Sequence, residues 1–122
     1  MTESLKRGIQ INLADAPCSE PPKHTKAKMW TFITPKMQEN KAFELMLTTI
    51  EPGGAAEIVT HATEHAYYVI SGQMQVTVES KEYNLGPGSC LYMDKEAAHG
   101  LHVVGDEPVS FIVIFAPARQ YA

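Results

Sequence analysis

Three histidines in this sequence have the spacing and the neighbours that a small metal site requires. His61 and His65 lie four residues apart, just before a run of β-branched and aromatic residues that ends at Gly72. His99 follows a second apolar run, which begins after Gly88. Imidazole is the commonest protein ligand for zinc, iron, nickel and copper. If short strands deliver the three side chains to one point, they form a site for one divalent metal ion.

A helix is one conformation in which His61 and His65 could act together. Residues four apart share a helix face, and the string then matches H-x-x-E-H, the inverted zinc-peptidase motif in which Glu64 would activate water. We reject this interpretation because residues 67–70 favour a strand. The peptidases also need a distant third glutamate ligand and a larger domain, and no acidic residue follows Glu107.

A strand makes a more specific demand on the same pair. At ~3.3 Å per residue, two side chains four residues apart lie ~13 Å apart, which one ion with ~2.1 Å bonds cannot bridge. The chain must therefore bend at residues 62–64, with one strand ending at His61 and the next beginning at His65. The small and polar residues of this segment permit such a corner.

Short strand signals recur along the chain and place the histidines on a β scaffold. Residues 73–79 alternate between polar and apolar side chains, and glycine or proline turns recur about every 8–12 residues, which is typical of a β-sandwich or barrel. Residues 37–41 are predicted as a polar connection. The predicted strands cover residues 29–34, 42–50, 57–60, 67–71, 73–79, 83–85, 89–93, 99–104 and 109–115, with one more near residues 9–13.

Length and composition are those of one globular domain. The chain has 122 residues, of which 44% are hydrophobic and 20% charged, so a single core is expected. Residues 1–27 are polar and contain three prolines, and we expect them to form an N-terminal arm. Residues 28–122 are expected to form a single β-barrel domain.

Charge and cysteine usage limit the expected partners and the compartment. The net charge is −4 without a dense basic face, so nucleic acid is not an expected partner. No apolar run approaches the ~18 residues of a membrane span, and the N-terminus lacks the apolar core of a signal peptide. Cys18 and Cys90 form no disulfide framework, so we expect a reducing compartment, the cytoplasm. Cys90 is predicted to be a small core residue.

Residues 53–72 resemble the first sequence motif of the cupin superfamily, usually written G-x5-H-x-H-x3,4-E-x6-G. Counted back from Gly72, His61 falls on the second histidine of the motif and His65 on its glutamate. Val59 stands at the position of the first histidine. The chain is therefore similar to the small cupins that bind manganese or a similar metal with four histidines, with the first histidine replaced by Val59.

Residues 88–103 resemble the second cupin motif, G-x5-P-x-G-x2-H-x3-N. His99 falls on the histidine of this motif. Asp94 stands where proline is common, Glu96 where glycine is common and Val103 where asparagine is common. The second motif is therefore matched mainly at its first glycine and at its histidine.

The resemblance covers about residues 40–117 and implies an all-β fold, the double-stranded β-helix or jelly-roll barrel of the cupins. It implies one divalent metal ion (iron, manganese, nickel or zinc) held by His61, His65 and His99. Cupins include isomerases, dioxygenases, lyases and non-catalytic binders. The implied function is a metalloenzyme that acts on a small organic molecule. The alternative is a metal-free barrel that serves as a small-molecule-binding or sensory module.

Strand parity assigns roles to the neighbouring side chains. Glu57 shares the parity of Val59 and His61, which makes it a candidate additional ligand. Tyr67 shares the parity of His65, so Tyr67 and Val59 are expected to line the pocket. Proton-transfer chemistry would need a further group, and no catalytic residue is assigned. The candidates for that role are Tyr67, Glu57 and Glu64.

The remaining histidines have simpler interpretations. His102 lies three residues beyond His99 and is expected on the opposite face of its strand. His24 lies among lysines of the arm and is expected to be solvated. The family resemblance also implies a homodimer, and a strand at residues 29–34 could pair with a sheet edge of the partner.

Overall fold

The computed structural model of the chain describes residues 6–121. Residues 1–5, at the start of the predicted N-terminal arm, and residue 122 lie outside this range. The described strands are β1 (Cys18–Ser19), β2 (His24–Ile33), β3 (Glu44–Val59), β4 (Glu64–Ser71), β5 (Met74–Val78), β6 (Lys81–Leu85), β7 (Cys90–Met93), β8 (His99–Val103) and β9 (Val109–Ala116). The helices are α1 (Pro35–Gln38) and the 3-10 turns Leu13–Asp15 and Arg119–Tyr121. None of these helices has the length and hydropathy needed to cross a membrane.

The strands pair antiparallel in one nearly closed sheet with the order β6-β5-β8-β3-β9-β4-β7. β2 runs along β3, and β1 pairs with β2. β3 is shared by the two halves of the barrel: its first part, through Ile50, pairs with β9, and its second part, from Ala55, pairs with β8. This arrangement confirms the predicted all-β double-stranded β-helix, or jelly-roll barrel.

β3 continues through residues 51–54, where the sequence predicts a turn between two separate strands. β2 explains the difference, because it pairs with both parts of β3. At Gly54 the two backbones approach so closely that a Cβ would lie 2.6 Å from the Thr25 carbonyl oxygen and 2.4 Å from Ile50 Cγ2. Glycine removes that obstacle, so the Pro-Gly-Gly segment bends β3 without ending it.

The barrel is packed with apolar side chains at one end and carries polar side chains at the other. Ile50 of β3 lies opposite Val109 of β9 in the packed end. Further along the same sheet, Glu44 and His65 are buried polar residues that flank Phe115 of β9. The largest fully buried apolar side chains are Met46, Ile50, Val69, Met74, Val76, Met93, Val109 and Phe111.

The N-terminal segment differs from the prediction in two places. Residues 9–13 do not form a strand; Leu13 begins a 3-10 turn instead. β2 begins at His24, well before the predicted start at residue 29. Lysines surround the buried Ala27 in this part of β2, and their charges conceal the strand pattern in the sequence.

Two further segments depart from the prediction. Residues 35–38 form α1 where the sequence predicts a polar connection, and the Thr34 hydroxyl accepts a hydrogen bond from the Met37 N–H at 3.2 Å as an N-cap. Cys90, predicted as a core residue, is exposed. It lies opposite the exposed Tyr68 on the outer face of the sheet. The run of apolar and aromatic residues that follows it, Leu91 to Met93, hides this parity in the sequence.

Gly72 and Gly88 both have left-handed backbones but differ in how closely other residues pack against them. Gly72 (φ 77°) would place a Cβ 2.1 Å from the Pro108 carbonyl oxygen, whereas Gly88 (φ 86°) would place one in open space. Gly88→Ala should therefore cost only the left-handed strain, about 1–2 kcal/mol. Gly72→Ala adds a backbone clash and should cost at least about 3 kcal/mol, or prevent folding.

Urea unfolding of the two alanine variants and the wild type measures this difference. Gly88→Ala serves as the matched control, because it has the same backbone conformation without the neighbour. Equal losses of stability in the two variants would show that the turn at Gly72 does not pack against Pro108.

Candidate metal site

His61, His65 and His99 meet at the polar end of the barrel because three strand ends meet there. β3 ends at Val59, β4 begins at Glu64, and β8 begins at His99 itself. The residues between β3 and β4 turn the chain sharply. This is the corner that the spacing of the first two histidines demands.

Internal hydrogen bonds hold the corner in place. Thr63 is fully buried, and its hydroxyl donates to the Pro117 carbonyl oxygen at 2.7 Å. The His61 carbonyl oxygen accepts a hydrogen bond from the Glu96 N–H at 2.7 Å. The corner is thereby tied to the chain beyond β9 and to the loop before β8, so the imidazole of His61 is held near those of the other two histidines.

The three imidazoles form a compact cluster. The ring centroid of His65 lies 4.4 Å from that of His99 and 5.3 Å from that of His61. The centroids of His61 and His99 lie 5.2 Å apart. One ring nitrogen from each histidine lies within 4.8 Å of the other two. His65 and His99 are buried and His61 is half-buried.

Hydrogen bonds indicate which ring nitrogens face the centre of the cluster. His99 Nδ1 lies 2.9 Å from the Ala97 carbonyl oxygen. This nitrogen therefore carries the proton, and His99 Nε2 keeps a lone pair. That Nε2 lies 3.0 Å from His65 Nε2. Among the described residues, His65 Nδ1 is buried without a hydrogen-bond partner, so the cluster alone does not satisfy every polar atom.

Burial keeps the three imidazoles uncharged at neutral pH. Burial and, secondarily, the neighbouring rings of His99 and His61 lower the pKa of His65 to about 3. Burial also lowers the pKa of His61 and that of His99 below the ordinary value of 6.5. A neutral imidazole is the form that binds a metal ion.

The donor set and its geometry fit a divalent ion. Two imidazole nitrogens bound at a right angle to one ion, with bonds of ~2.1 Å, would lie about 3 Å apart. The Nε2 atoms of His65 and His99 lie 3.0 Å apart. One ring nitrogen of His61 lies within 4.8 Å of these ligand atoms. The three histidines could therefore bind a metal ion.

A cavity of about 610 Å³ adjoins the cluster. This volume lies within the usual range for sites that hold small molecules. His61 and His99 belong to its wall, and a short segment that leads into β2 lies at its edge. Most of the wall is apolar. The apolar side chains that line the cavity include Met29, Met46, Ile58, Phe111, Val113 and Phe115.

Tyr67 and Val59 both line this cavity. Tyr67 is buried, and its ring lies 5.0 Å from that of Phe111 and 5.8 Å from that of His65. Burial raises the pKa of the Tyr67 hydroxyl, so the phenol stays protonated and can donate a hydrogen bond. Val59 lies opposite His99 across β3 and β8, which places its side chain at the edge of the cluster.

The two acidic residues considered for the site lie outside the cluster. Glu57 is exposed at the edge of the cavity, and its backbone N–H donates to the Lys23 carbonyl oxygen at 2.9 Å. It does not belong to the group of three potential ligands. Glu64 is exposed and accepts a hydrogen bond from the Tyr92 hydroxyl. His102 is exposed on β8, which confirms the prediction that it faces away from His99.

An ion pair in the cavity region was not predicted from the sequence. Arg119, which lines the cavity, donates from Nη2 and Nε to the carboxylate of Glu44 at 2.9 and 3.1 Å. The Arg119 backbone N–H donates to the same carboxylate at 2.6 Å. Burial raises the pKa of Glu44, but the hydrogen bonds from Arg119 outweigh it and lower the pKa overall.

Strand parity could have found Glu44 but not Arg119. Glu44 shares the inward parity of Met46 and Thr48 on β3. Arg119 follows the last strand, where no periodic pattern predicts its direction. His24 was predicted to be solvated; it is half-buried and lines the cavity, with Nδ1 2.8 Å from the Pro22 carbonyl oxygen.

Comparison with known proteins identifies a family profile, a related enzyme and similar folds. The sequence profile described as Cupin domain matches residues 46–115. The chain is 28% identical over 102 residues to the oxalate decarboxylase OxdC of Bacillus subtilis. That alignment covers 79% of this chain and 26% of the enzyme, so the chain spans about a quarter of the length of this relative.

Solved structures show the same barrel. The fold is similar to that of a cupin 2 domain-containing protein from Halorhodospira halophila, with a TM-score of 0.72 and 31% identity over 78% of this chain and 67% of that one. It is also similar to the polyketide cyclase RemF from Streptomyces resistomycificus, with a TM-score of 0.80 and 19% identity over 93% and 82% of the two chains. The second likeness concerns the fold alone. Because the family profile spans more than half of the sequence and the barrel matches, the chain belongs to the cupin family.

Proposed function

We propose that this cupin binds one divalent metal ion through His61, His65 and His99 and acts as a metalloenzyme on a small organic molecule. The observation that carries the proposal is the cluster of three uncharged imidazoles beside a cavity of about 610 Å³. Three protein ligands with room for a further group are typical of a catalytic rather than a structural metal site. The similarity to an oxalate decarboxylase supports an enzymatic role.

In the proposed site, the metal ion and the cavity wall have different roles toward the substrate. A bound divalent ion would polarise a carboxylate, carbonyl or hydroxyl oxygen of the substrate. The apolar wall excludes water and holds the carbon skeleton. The Tyr67 hydroxyl, which has no hydrogen-bond partner among the described protein groups, is available to donate to a substrate oxygen. An isomerase, a dioxygenase and a lyase are all compatible with these roles, and Glu57 remains a candidate additional ligand at the cavity edge.

A metal-free binding or sensory module is the second candidate. The direct contact of 3.0 Å between His65 Nε2 and His99 Nε2 favours it, because these two nitrogens can form a hydrogen bond with each other without an ion. Val59 favours it as well, since we interpret this residue as a replacement of the first histidine of the cupin motif. In this case the cavity would hold an organic ligand by itself.

Elemental analysis of two variants separates these candidates. His99→Ala should lose about one equivalent of metal, because two imidazoles hold a divalent ion far more weakly than three. His102→Ala, which removes an exposed histidine from the same strand, should retain it. Iron, manganese, nickel and zinc are all measured, since imidazole binds each of them.

Thermal unfolding with and without EDTA supplies the control. A bound ion stabilises the folded state by mass action, so EDTA should lower the Tm of the wild type and of His102→Ala but leave that of His99→Ala unchanged. Absence of metal from the wild type after anaerobic reconstitution with each ion would reject the metalloenzyme and favour the metal-free module.

The metal-free protein should lose stability as the pH falls below 6.5. The pKa of His65 is lowered from 6.5 to about 3 on folding, so the unfolded chain takes up a proton at this ring before the folded chain does. The contribution of His65 to stability is complete above pH 6.5 and decreases as the pH approaches 3. Between pH 6.5 and 5 the loss from His65 alone is about 1.5 kcal/mol.

Urea unfolding of EDTA-treated protein at several pH values between 5 and 7 measures this slope. His65→Gln removes the titrating ring and should flatten the slope. A slope unchanged by His65→Gln would mean that the ring is not buried in its uncharged form.

We further propose that the protein forms a homodimer through the outer face of its sheet. β2, which contains most of the segment expected to pair with a partner, pairs with β3 and β1 of its own chain. The outer face instead carries adjacent apolar side chains, with Leu47 opposite Ile112 and Ile112 opposite Tyr68. Tyr68 and Ile114 on this face are exposed. Contiguous exposed apolar surface is typical of a protein interface.

Light scattering on a sizing column tests this interface. The wild type should have twice the chain mass of 13.5 kDa. Ile114→Glu should elute as a monomer, because dimerisation would bury the new carboxylate without a partner. Val104→Glu, at an exposed apolar residue outside this face, should remain dimeric. A monomeric wild type would reject the proposed dimer.

We place the protein in the cytoplasm. Both cysteines, Cys18 and Cys90, are free and exposed. A reducing compartment keeps such thiols from oxidation. The proposed partners are a small-molecule substrate and a second copy of the chain.

A further inference from the structure

Arg119 has a fixed position in the cavity wall. Its Nε and Nη2 donate to the Glu44 carboxylate, and its backbone N–H donates to the same group. The guanidinium carbon lies 4.2 Å from the centroid of the Phe115 ring, a distance at which cation–π attraction adds to the ion pair. Glu44 is 6% exposed, so this anchor is itself held inside the fold.

The ion pair leaves part of the guanidinium unused. An arginine carries five N–H donors, and Glu44 occupies the edge formed by Nε and Nη2. Nη1 has no partner among the described residues. Nη1 and the second N–H of Nη2 form another edge that can receive a carboxylate with two parallel hydrogen bonds. The side chain is 45% exposed and lines the cavity, so an entering ligand can reach it.

Phe115 joins this cation to the candidate metal site. Its ring is nearly parallel to that of His65, at 19° and 5.2 Å between centroids. It also lies 5.3 Å from the ring of His61. One aromatic side chain therefore contacts both the guanidinium and two of the three imidazoles. A small molecule in this cavity can reach both polar features at once.

The charges of the wall favour an anion with an apolar body. The chain has a net charge of −4, yet the ionisable side chains that line the cavity include Arg119 and Lys23 against the carboxylate of Glu57. Glu44 lies outside this lining and offsets part of the Arg119 charge through the ion pair. A divalent ion on the histidines would add to the positive charge. The rest of the wall is mostly apolar, so a substrate with several charges along its skeleton would leave some of them without partners.

We propose that Arg119 binds the carboxylate of the substrate, and that the substrate class is therefore a small organic acid with a largely apolar body and a second oxygen that reaches the histidines. The substrate assignment rests on the proposed function above; the anion contact at Arg119 does not. Glu44 acts as a positioning residue, because it holds the guanidinium and does not line the cavity.

Binding of mandelate and of its uncharged amide, mandelamide, tests the proposal. The two probes have the same aromatic body and the same hydroxyl and differ mainly in charge. The wild type should bind mandelate at least about tenfold more tightly, because a charge-assisted pair of hydrogen bonds is lost in the amide. Arg119→Gln should remove this preference by weakening mandelate and leaving mandelamide within about twofold. Isothermal titration calorimetry measures both dissociation constants.

Two further variants separate a fixed contact from its alternatives. Lys23→Gln removes a positive charge from the edge of the same cavity and should keep the preference for mandelate. An equal loss of preference in this variant would show that the general positive potential of the cavity, and not a contact with Arg119, binds the anion. Arg119→Lys keeps the charge without the two-pronged edge and should give an intermediate preference. If Arg119→Gln weakens the binding of mandelate and mandelamide equally and also lowers the Tm, the ion pair only stabilises the fold. That result would overturn the proposal.

The metal state distinguishes failure of this inference from failure of the proposed function. Each titration is run on metal-loaded and on EDTA-treated protein, with the metal content measured. A preference for mandelate that depends on Arg119 in EDTA-treated protein supports the anion contact even if no metal is found. Equal or undetectable binding of the two probes by the wild type in both states overturns the inference, whatever the metal analysis shows.

Discussion

Strand β3 is the constraint on which both the fold and the candidate site depend. Its 16 residues pair with β9 before the bend at residues 51–54 and with β8 after it, so one strand joins the two halves of the barrel. The bend forms because Gly54 lets β2 approach to where a Cβ would otherwise lie. Val59 then ends the strand opposite His99 and leaves His61 in the corner beyond. A straight β3 would lose both the closure of the barrel and the meeting of the histidines.

The buried polar groups at one end of the barrel lower its stability but form the candidate site. Along β3, the inward positions change from the apolar Ile50 to the charged Glu44, so the core ends where the site begins. Burial of imidazoles excludes their charged form, and His65 Nδ1 is left without a described partner. An unsatisfied buried polar atom costs about 1–3 kcal/mol. The packed end of the barrel offsets this cost, and the site gains three imidazole rings that are held close together before any ligand arrives.

The sequence predicts the part of this site that local patterns encode. The four-residue spacing of His61 and His65 requires a corner if both are to bind one ion, and the structure has that corner. Strand parity and the resemblance to cupin motifs place His99 with them. The Glu44 and Arg119 pair could not be found in this way, because it joins residues 75 positions apart and no periodic pattern extends past the last strand. Long-range contacts of this kind depend on the closure of the barrel, which no window of the sequence contains.

Phe115 shows how the same fold can limit the choice of ligand. Its ring contacts the His65 imidazole and the Arg119 guanidinium, and an aromatic ring is rigid and apolar across its width. It therefore lies between the two polar features and sets their separation. A ligand that engages both must carry its oxygen-bearing groups at a matching distance. Selectivity then depends on β9 and the turn after it, whereas the histidine cluster supplies a chemistry that many substrates could share.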